Sequence, residues 1–269
     1  DSCIVAIGGG VVCDIVSFVS SIYQRGIKLM IIPTTTTSMM DSCVGGKTGI
    51  NHNNIVNLIG TYYHPISIYI DLRFLFTLTN RDYRSGIAES IKKGIVIDKN
   101  LFDFLLNNSK SINARKLSDV FEMIHKSVDI KLRVTSSDVF EKSSRLLLNY
   151  GHTFGQSIES VFGINHKKLT HGYAVSLGMI CAAKMSDNIF KKNLFLIHKE
   201  ILEMYKLPTK LKLNSYKKLI DKMINNLNND KKRTKEGVKF ILSKSIGEGV
   251  TKVVNDKTLI KNSFRQLFV

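Results

Sequence analysis

One carboxylate and two imidazoles are the side chains of this sequence best suited to hold a divalent ion: Glu89, His152 and His171. Such a set suits zinc or cobalt and leaves coordination positions open for substrate oxygens. Glu89 lies in GIAESIKKGIVI, an otherwise apolar helical pattern. His152 lies in RLLLNYGHTFGQ, and His171 opens HGYAVSLGM. Spacing alone does not bring three distant segments together. A structural role for each histidine, the commoner use of that residue, therefore stands beside the metal reading.

Around His152 the pattern is denser. Arg145, Asn149, His152 and Gln156 follow at intervals of four, three and four, so a continuous helix would put them on one face. Beside Leu146, Leu147 and Leu148, that polar stripe is costly to bury without partners, which a ligand or metal would supply. A solvent-facing stripe is the alternative. Lys92, three residues after Glu89, and Lys131 in DIKLRV would balance an anionic ligand, or would lie on helix surfaces as lysines ordinarily do.

Two further segments have the composition of an anion cradle. GGGVVCD, from Gly8 to Asp14, follows a strand pattern and opens a helix, where backbone amides and the helix N-terminus favour a pyrophosphate. It lacks the G-x-G-x-x-G spacing, so a plain tight turn explains it equally well. The stretch PTTTTSMMDSCVGGKTGINHNNIVN, from Pro33 to Asn57, is polar and irregular between apolar flanks, as functional loops are. Its GGKTG is not a phosphate-binding P-loop, because Asp41 stands where the first glycine is required. Lys47 remains a point charge for a phosphate or a cofactor.

The elements that must position these groups fall into two kinds. Up to about Asp71, short apolar runs (CIVAI, KLMIIP, SIYID) alternate with Gly- and Thr-rich turns and the helical VVCDIVSFVSSIY, the pattern of a buried parallel sheet covered by helices. From about Asn80 the periodicity is helical through SYKKLIDKMINNL, with GVKFILS alternating as a strand near the end. The expectation is an α/β fold: a partial Rossmann-like parallel-sheet domain over residues 1–79, then a mostly α-helical domain over 80–269, with the ligand cleft between them. The chain opens at Asp1 directly on a strand, so preceding sheet elements are expected to be missing.

With 269 residues, 43% of them apolar, the chain can bury a sizeable core. No apolar run is long enough to span a bilayer, and no membrane partner is expected. Four cysteines without paired spacing point to a reducing, cytoplasmic setting, with Cys3 and Cys181 as small hydrophobes. The net charge of +17 invites a nucleic-acid reading, but the lysines are scattered among Asn and Ile without a recognition motif, so no nucleic acid is expected.

Taken in order, AIGGGVVCDIVSFVSSIYQRG, PTTTTSMMDSCVGGKTGINH, TLTNRDYRSGIAESIKKG, LLLNYGHTFG and HGYAVSLGM resemble the 3-dehydroquinate synthase family of sugar phosphate cyclases. The resemblance implies an NAD-binding first domain, a second domain holding one divalent metal (zinc or cobalt), and an anionic sugar phosphate substrate. It implies that Glu89, His152 and His171 ligate the metal. NAD would lie against Gly10, Val11, Val12, Cys13, Asp14, Thr34, Thr35, Asp41, Lys47 and the stretch Phe74, Leu75, Phe76, Thr77 and Leu78. Substrate would meet Lys92, Lys131, Arg145 and Asn149, with Asn57, Gln156 and Lys231 or Lys232 nearby, and Arg25 reaching across a homodimer.

Four positions depart from the family pattern: Gln156 replaces a second histidine, Val56 a lysine, Cys13 a glycine and Tyr173 a glutamate. With part of the NAD domain expected missing, weak NAD binding is expected of this chain. Three rivals remain at this level: an NAD-dependent polyol dehydrogenase of the iron-alcohol-dehydrogenase group, a cyclase for another sugar phosphate, and a non-catalytic remnant. GGKTGINH and NYGHTFG favour the synthase over the dehydrogenase, and Arg145 with Lys131 favours a carboxylated substrate.

Overall fold

A computed structural model describes residues 2–53, 55–162, 169–211, 216–228, 233–234 and 236–268. The chain begins with a β-α-β unit: β1 (Cys3–Gly8), α1 (Gly10–Ile22) and β2 (Lys28–Pro33), the two strands pairing in parallel from Cys3 opposite Lys28 to Gly8 opposite Pro33. The Thr-rich segment then makes a π-helical turn, Ser38–Ser42, and a short antiparallel hairpin, β3 (Ile50–His52) with β4 (Ile55–Ile59). β5 (Ser67–Ile68) joins the far side of β2, giving the parallel order β1-β2-β5. This parallel sheet followed by helices is the expected fold class. A small core of Ala6, Cys13, Leu29, Ile31, Cys43 and Val44 lies between sheet and loop.

Helices follow: α2 (Asn80–Val96), α3 (Lys99–Asn107), α4 (Ser109–Asn113), α5 (Leu117–Ser137), α6 (His152–Phe162), α7 (His171–Phe190), α8 (Phe195–Met204) and α9 (Lys217–Asn228). A second antiparallel sheet, β6 (Arg233–Thr234), β7 (Gly237–Ser245) and β8 (Glu248–Val254), and α10 (Lys257–Arg265) close the chain. α2 starts on Thr79, whose hydroxyl accepts from the Asp82 amide and donates to its carboxylate, a reciprocal cap. Every residue from Ser85 to Val96 is buried, and α7 is nearly as enclosed. These two helices are the axis of the larger core, where Ile87, Ile91 and Ile95 meet Val175, Met179 and the aromatic rings of Phe154 and Phe240. Among the described residues no helix is long and apolar enough to cross a membrane.

Three sequence expectations are corrected. β1 is an edge strand with one face in solvent, exposing Val5, Ile7 and Cys3, so Cys3 is not the buried small hydrophobe expected of it. The Pro33–Asn57 stretch is not irregular throughout, since it contains the π turn and the hairpin. The polar stripe is not one helical face. A 3-10 turn over Ser144–Asn149 ends at extended Tyr150, and Gly151 takes φ +75° before α6 begins at His152. A side chain at Gly151 would meet Met179 Cγ at 2.8 Å and Val175 O at 2.9 Å, so the close approach of α7 forces the break.

His198 on α8 is fully buried, its Nδ1 within 2.7 Å of the Leu194 carbonyl. Burial pushes its pKa down to about 4, against a smaller opposing pull from that carbonyl. Above pH 6.5 the ring is neutral whether folded or not. As pH falls from 6.5 towards 4 only the unfolded chain takes the proton, so stability is lost across that window, by about 3 kcal/mol in total. Urea unfolding of His198→Gln should show a shallower fall in stability between pH 6.5 and 4 than the unmodified chain; an unchanged slope would refute the assignment.

Candidate metal centre and active site

Glu89, His152 and His171 come from α2, α6 and α7, and their donor atoms lie within 4.8 Å of one another. Glu89 Oε1 is 3.6 Å from His171 Nε2 and 3.8 Å from His152 Nε2. Ligands about 2.1 Å from a tetrahedral ion stand roughly 3.4 Å apart, so this spacing suits a shared ion. Two observations test the fit. Glu89 is 1% exposed and Oε1 has no hydrogen-bond partner among the described residues, although a buried carboxylate oxygen ordinarily has one. Both imidazoles are turned by acceptors on their other nitrogen: His152 Nδ1 is 3.2 Å from the Tyr150 carbonyl, and His171 Nδ1 is 3.3 Å from each oxygen of Glu159. That leaves the Nε2 atoms facing Glu89, as in metal sites where outer partners fix the tautomer. The residues fit a divalent ion.

Two carboxylates here pair with buried ammonium groups. Lys92 Nζ, 2% exposed, donates to Glu89 Oε2. Lys131 on α5 pairs with Asp41 Oδ1 at 2.8 Å. Burial alone would raise the Asp41 carboxyl, but Lys131, Lys92 and Lys93 outweigh it and hold it well below the usual carboxylate range. Asp14 goes the other way: burial pushes it up to about 6, Lys131 opposing and Asp41 adding to the rise.

Lys47 and Asn149 are joined by Glu141, a residue the sequence reading missed. Lys47 Nζ donates to Glu141 Oε2 and Asn149 Nδ2 to Oε1 at 2.7 Å. Lys47 precedes Thr48, whose amide donates to the Thr61 carbonyl at 3.0 Å, while the Tyr63 amide donates to the Gly46 carbonyl at 2.8 Å; the GGK turn is thus pinned on both sides. Burial would raise the Glu141 carboxyl, yet Lys47, Asn149 and Arg145 together hold it low. Arg145 is 2% exposed and donates to the Val139 and Gly45 carbonyls at 2.7 and 2.8 Å, fastening that turn to the helical part. No spacing rule points to Glu141 or Glu159, because each acquires its partners through packing of distant segments.

At the first turn, Gly9 caps α1 without a side-chain bond. The Thr34 amide donates to the Gly8 carbonyl at 2.8 Å, and Thr35 packs against Gly9. Ser42 Oγ, beside Gly10, is buried without a hydrogen-bond partner among the described residues. Open amides, glycines and an orphaned hydroxyl fit a pyrophosphate-bearing cofactor along Gly10–Asp14. Phe74–Leu78 is fastened to the helical part, Arg115 donating to the Leu75 and Leu78 carbonyls at 2.6 and 2.8 Å. Arg25 stands on an exposed turn after α1 with φ +67°, and Asn57 is exposed on β4 with φ +50°. Gln156 is exposed one turn beyond His152, and Lys232 lies outside the described residues.

Comparison with known proteins decides the family. Residues 1–85 match the family described as 3-dehydroquinate synthase N-terminal, and residues 86–233 match 3-dehydroquinate synthase C-terminal. The chain belongs to the 3-dehydroquinate synthase family. The synthase of Sulfurisphaera tokodaii is 43% identical over 85% of this chain and 65% of its own length. That of Clostridium tetani is 36% identical over 97% of this chain and 69% of its own. The chain therefore spans about two thirds of these relatives. Among solved structures, the valiolone synthase ValA of Streptomyces hygroscopicus, with NAD+ and Zn2+ bound, superposes with a TM-score of 0.88 at 27% identity, over 99% of this chain and 73% of that one. A 2-deoxy-scyllo-inosose synthase complexed with carbaglucose-6-phosphate, NAD+ and Co2+ matches at 0.88 and 28%, over 99% and 74%. Glycerol dehydrogenase of Schizosaccharomyces pombe, 15% identical with a TM-score of 0.64, shares the fold alone.

Proposed function

We propose that this 3-dehydroquinate synthase family member converts 3-deoxy-D-arabino-heptulosonate 7-phosphate to 3-dehydroquinate and phosphate, in the cytoplasm. The observation carrying this reading is Glu89 Oε1, unpartnered among the described residues, converging with two oriented imidazoles while Lys92 holds the other carboxylate oxygen. Glu89, His152 and His171 would hold zinc or cobalt, which supplies a Lewis acid for hydroxyl and ketone oxygens. Gly10–Asp14, Thr34, Thr35 and Asp41 would hold NAD, which supplies a transient acceptor and donor of hydride. The boundary between the two domains is placed near residue 80.

The chain's own groups bind and orient the anion. Lys92 and Lys131 are ammoniums already removed from water, so an anionic substrate meets them without screening. Two of the five N–H donors of Arg145 are spent on main-chain carbonyls; the rest remain for a carboxylate. Glu141 keeps Lys47 and Asn149 on either side of one point, spanning the two parts of the fold. Arg25 would serve a neighbouring subunit in a homodimer.

The test is phosphate release from the heptulosonate phosphate, with and without chelator. Release that stops with chelator and returns with zinc or cobalt is expected; none under any metal would remove the reading. The likeness to cyclases with other names favours a second reading, a different sugar phosphate. Release from a carbon-skeleton analogue lacking the carboxylate, at an equal rate, would select it.

A further inference from the structure

Lys93, so far named only for its charge near Asp41, is more completely buried than Lys92 or Lys131. Its side chain has no solvent exposure. From α2 it crosses to the π turn, where Nζ donates to the Met40 carbonyl at 2.6 Å and stands 3.7 Å from Asp41 Oδ1. Lys131 approaches the same oxygen from α5 at 2.8 Å. Asp41 is thus held between ammoniums from two helices, on a turn whose extra residue per hydrogen-bonded ring is a local distortion frequent at functional sites.

We propose that Lys93 is a positioning residue: it fixes Met40 and Asp41 against α2 so that the Asp41 carboxylate keeps one orientation towards the cofactor and substrate. This rests on the function proposed above. Burying an ammonium is costly and removing one partner of a buried ion pair destabilises, but Asp41 Oδ1 has a nearer partner in Lys131 at 2.8 Å, so Lys93 is not needed merely to neutralise it. By bridging the Met40 carbonyl and Asp41 from α2, the lysine sets where both sit, besides what it adds to stability. Its environment also makes the charge adjustable. Burial pushes its pKa down to about 8, with Asp41 and Glu89 opposing and Lys131 and Lys92 adding to the fall; Cys43 is the other titratable group facing it. Above that pH the ammonium becomes an amine and Asp41 keeps only the charges of Lys131 and Lys92.

The experiment compares Lys93→Met, Lys93→Arg and the unmodified chain by thermal denaturation, by phosphate release from pH 6.5 to 9.5, and by carbon NMR of the Asp41 carboxyl. Lys93→Met should melt below the unmodified temperature and Lys93→Arg close to it, while kcat/KM of Lys93→Met, measured well below its melting temperature, falls roughly tenfold, the lower end of what loss of an orienting partner costs. The unmodified enzyme should lose activity with a midpoint near pH 8, and Lys93→Met should show no such limb. Lys93→Arg, whose charge persists, should restore activity and also lack the limb. The Asp41 carbon should show an inflection near pH 8 in the unmodified chain only. Full activity in Lys93→Met, the same alkaline limb in that variant, or no inflection at Asp41 in the unmodified chain would each overturn the proposal. Absence of phosphate release from the unmodified enzyme would instead remove the functional reading, while the carbon titration still decides the role of Lys93.

Discussion

Glu89→Gln is expected to abolish both divalent-ion binding and phosphate release. The two carboxylate oxygens have different tasks: Oε2 accepts from Lys92, and Oε1 faces the two imidazoles without a hydrogen bond. An amide keeps one oxygen and adds two N–H donors, so either Lys92 or the metal position confronts a donor where it needs an acceptor. The charge also disappears beside a buried lysine. Removing one partner of a buried ion pair costs about 3–5 kcal/mol, so the melting temperature should drop as well. His171→Gln separates the two effects. His171 is 43% exposed and pairs with Glu159 at the surface of the site, so its loss should leave the melting temperature nearly unchanged. Titration calorimetry with zinc and cobalt should show no binding in either variant. Unaltered affinity in either one would dismantle the metal assignment.

What the sequence made legible here follows from the range of the interactions involved. β2, α7 and most of α2 stand out because their own apolar spacing specifies them, and their structural bounds nearly coincide with the patterns. The metal set was readable as three residue types in a suggestive motif order, since an acid in an apolar helix is anomalous wherever its partners lie. Glu141, Glu159 and Lys93 were not readable. Each looks like a surface charge in its own segment, and only the packing of α2, α5 and α6 against distant loops gives it a partner 12 to 94 residues away. The helical stripe through Arg145 and Gln156 failed for a related reason. Its spacing was right, but contact with α7 imposes a left-handed residue at Gly151, a constraint absent from the local sequence.

Gly172→Ala should damage the metal centre more than any single change outside its ligands. Gly172 follows His171 at the start of α7 and lies against α2 so closely that a Cβ would stand 1.8 Å from the Ser85 carbonyl oxygen. Its amide donates to Ser85 Oγ at 3.1 Å. Ser85 is one turn before Glu89 on the same helix, so the contact that would have to open is the one that sets Glu89 against His171. The clashing atoms are backbone and cannot rotate away; α7 must retreat from α2 by over an ångström to regain ordinary contact. Overpacking of this kind costs about 1–3 kcal/mol, and a misplacement of about 1 Å at a reacting group can cost roughly a hundredfold in rate. A hundredfold is about 2.7 kcal/mol, so metal affinity should fall by an amount comparable to the loss of stability. Gly94→Ala is the comparison, since its Cβ would meet Phe102 of α3 at 3.0 Å, beyond the metal ligands. It should lower the melting temperature while zinc affinity holds. Equal zinc affinities in the two alanine variants would show that the α2–α7 approach does not set the geometry of the site.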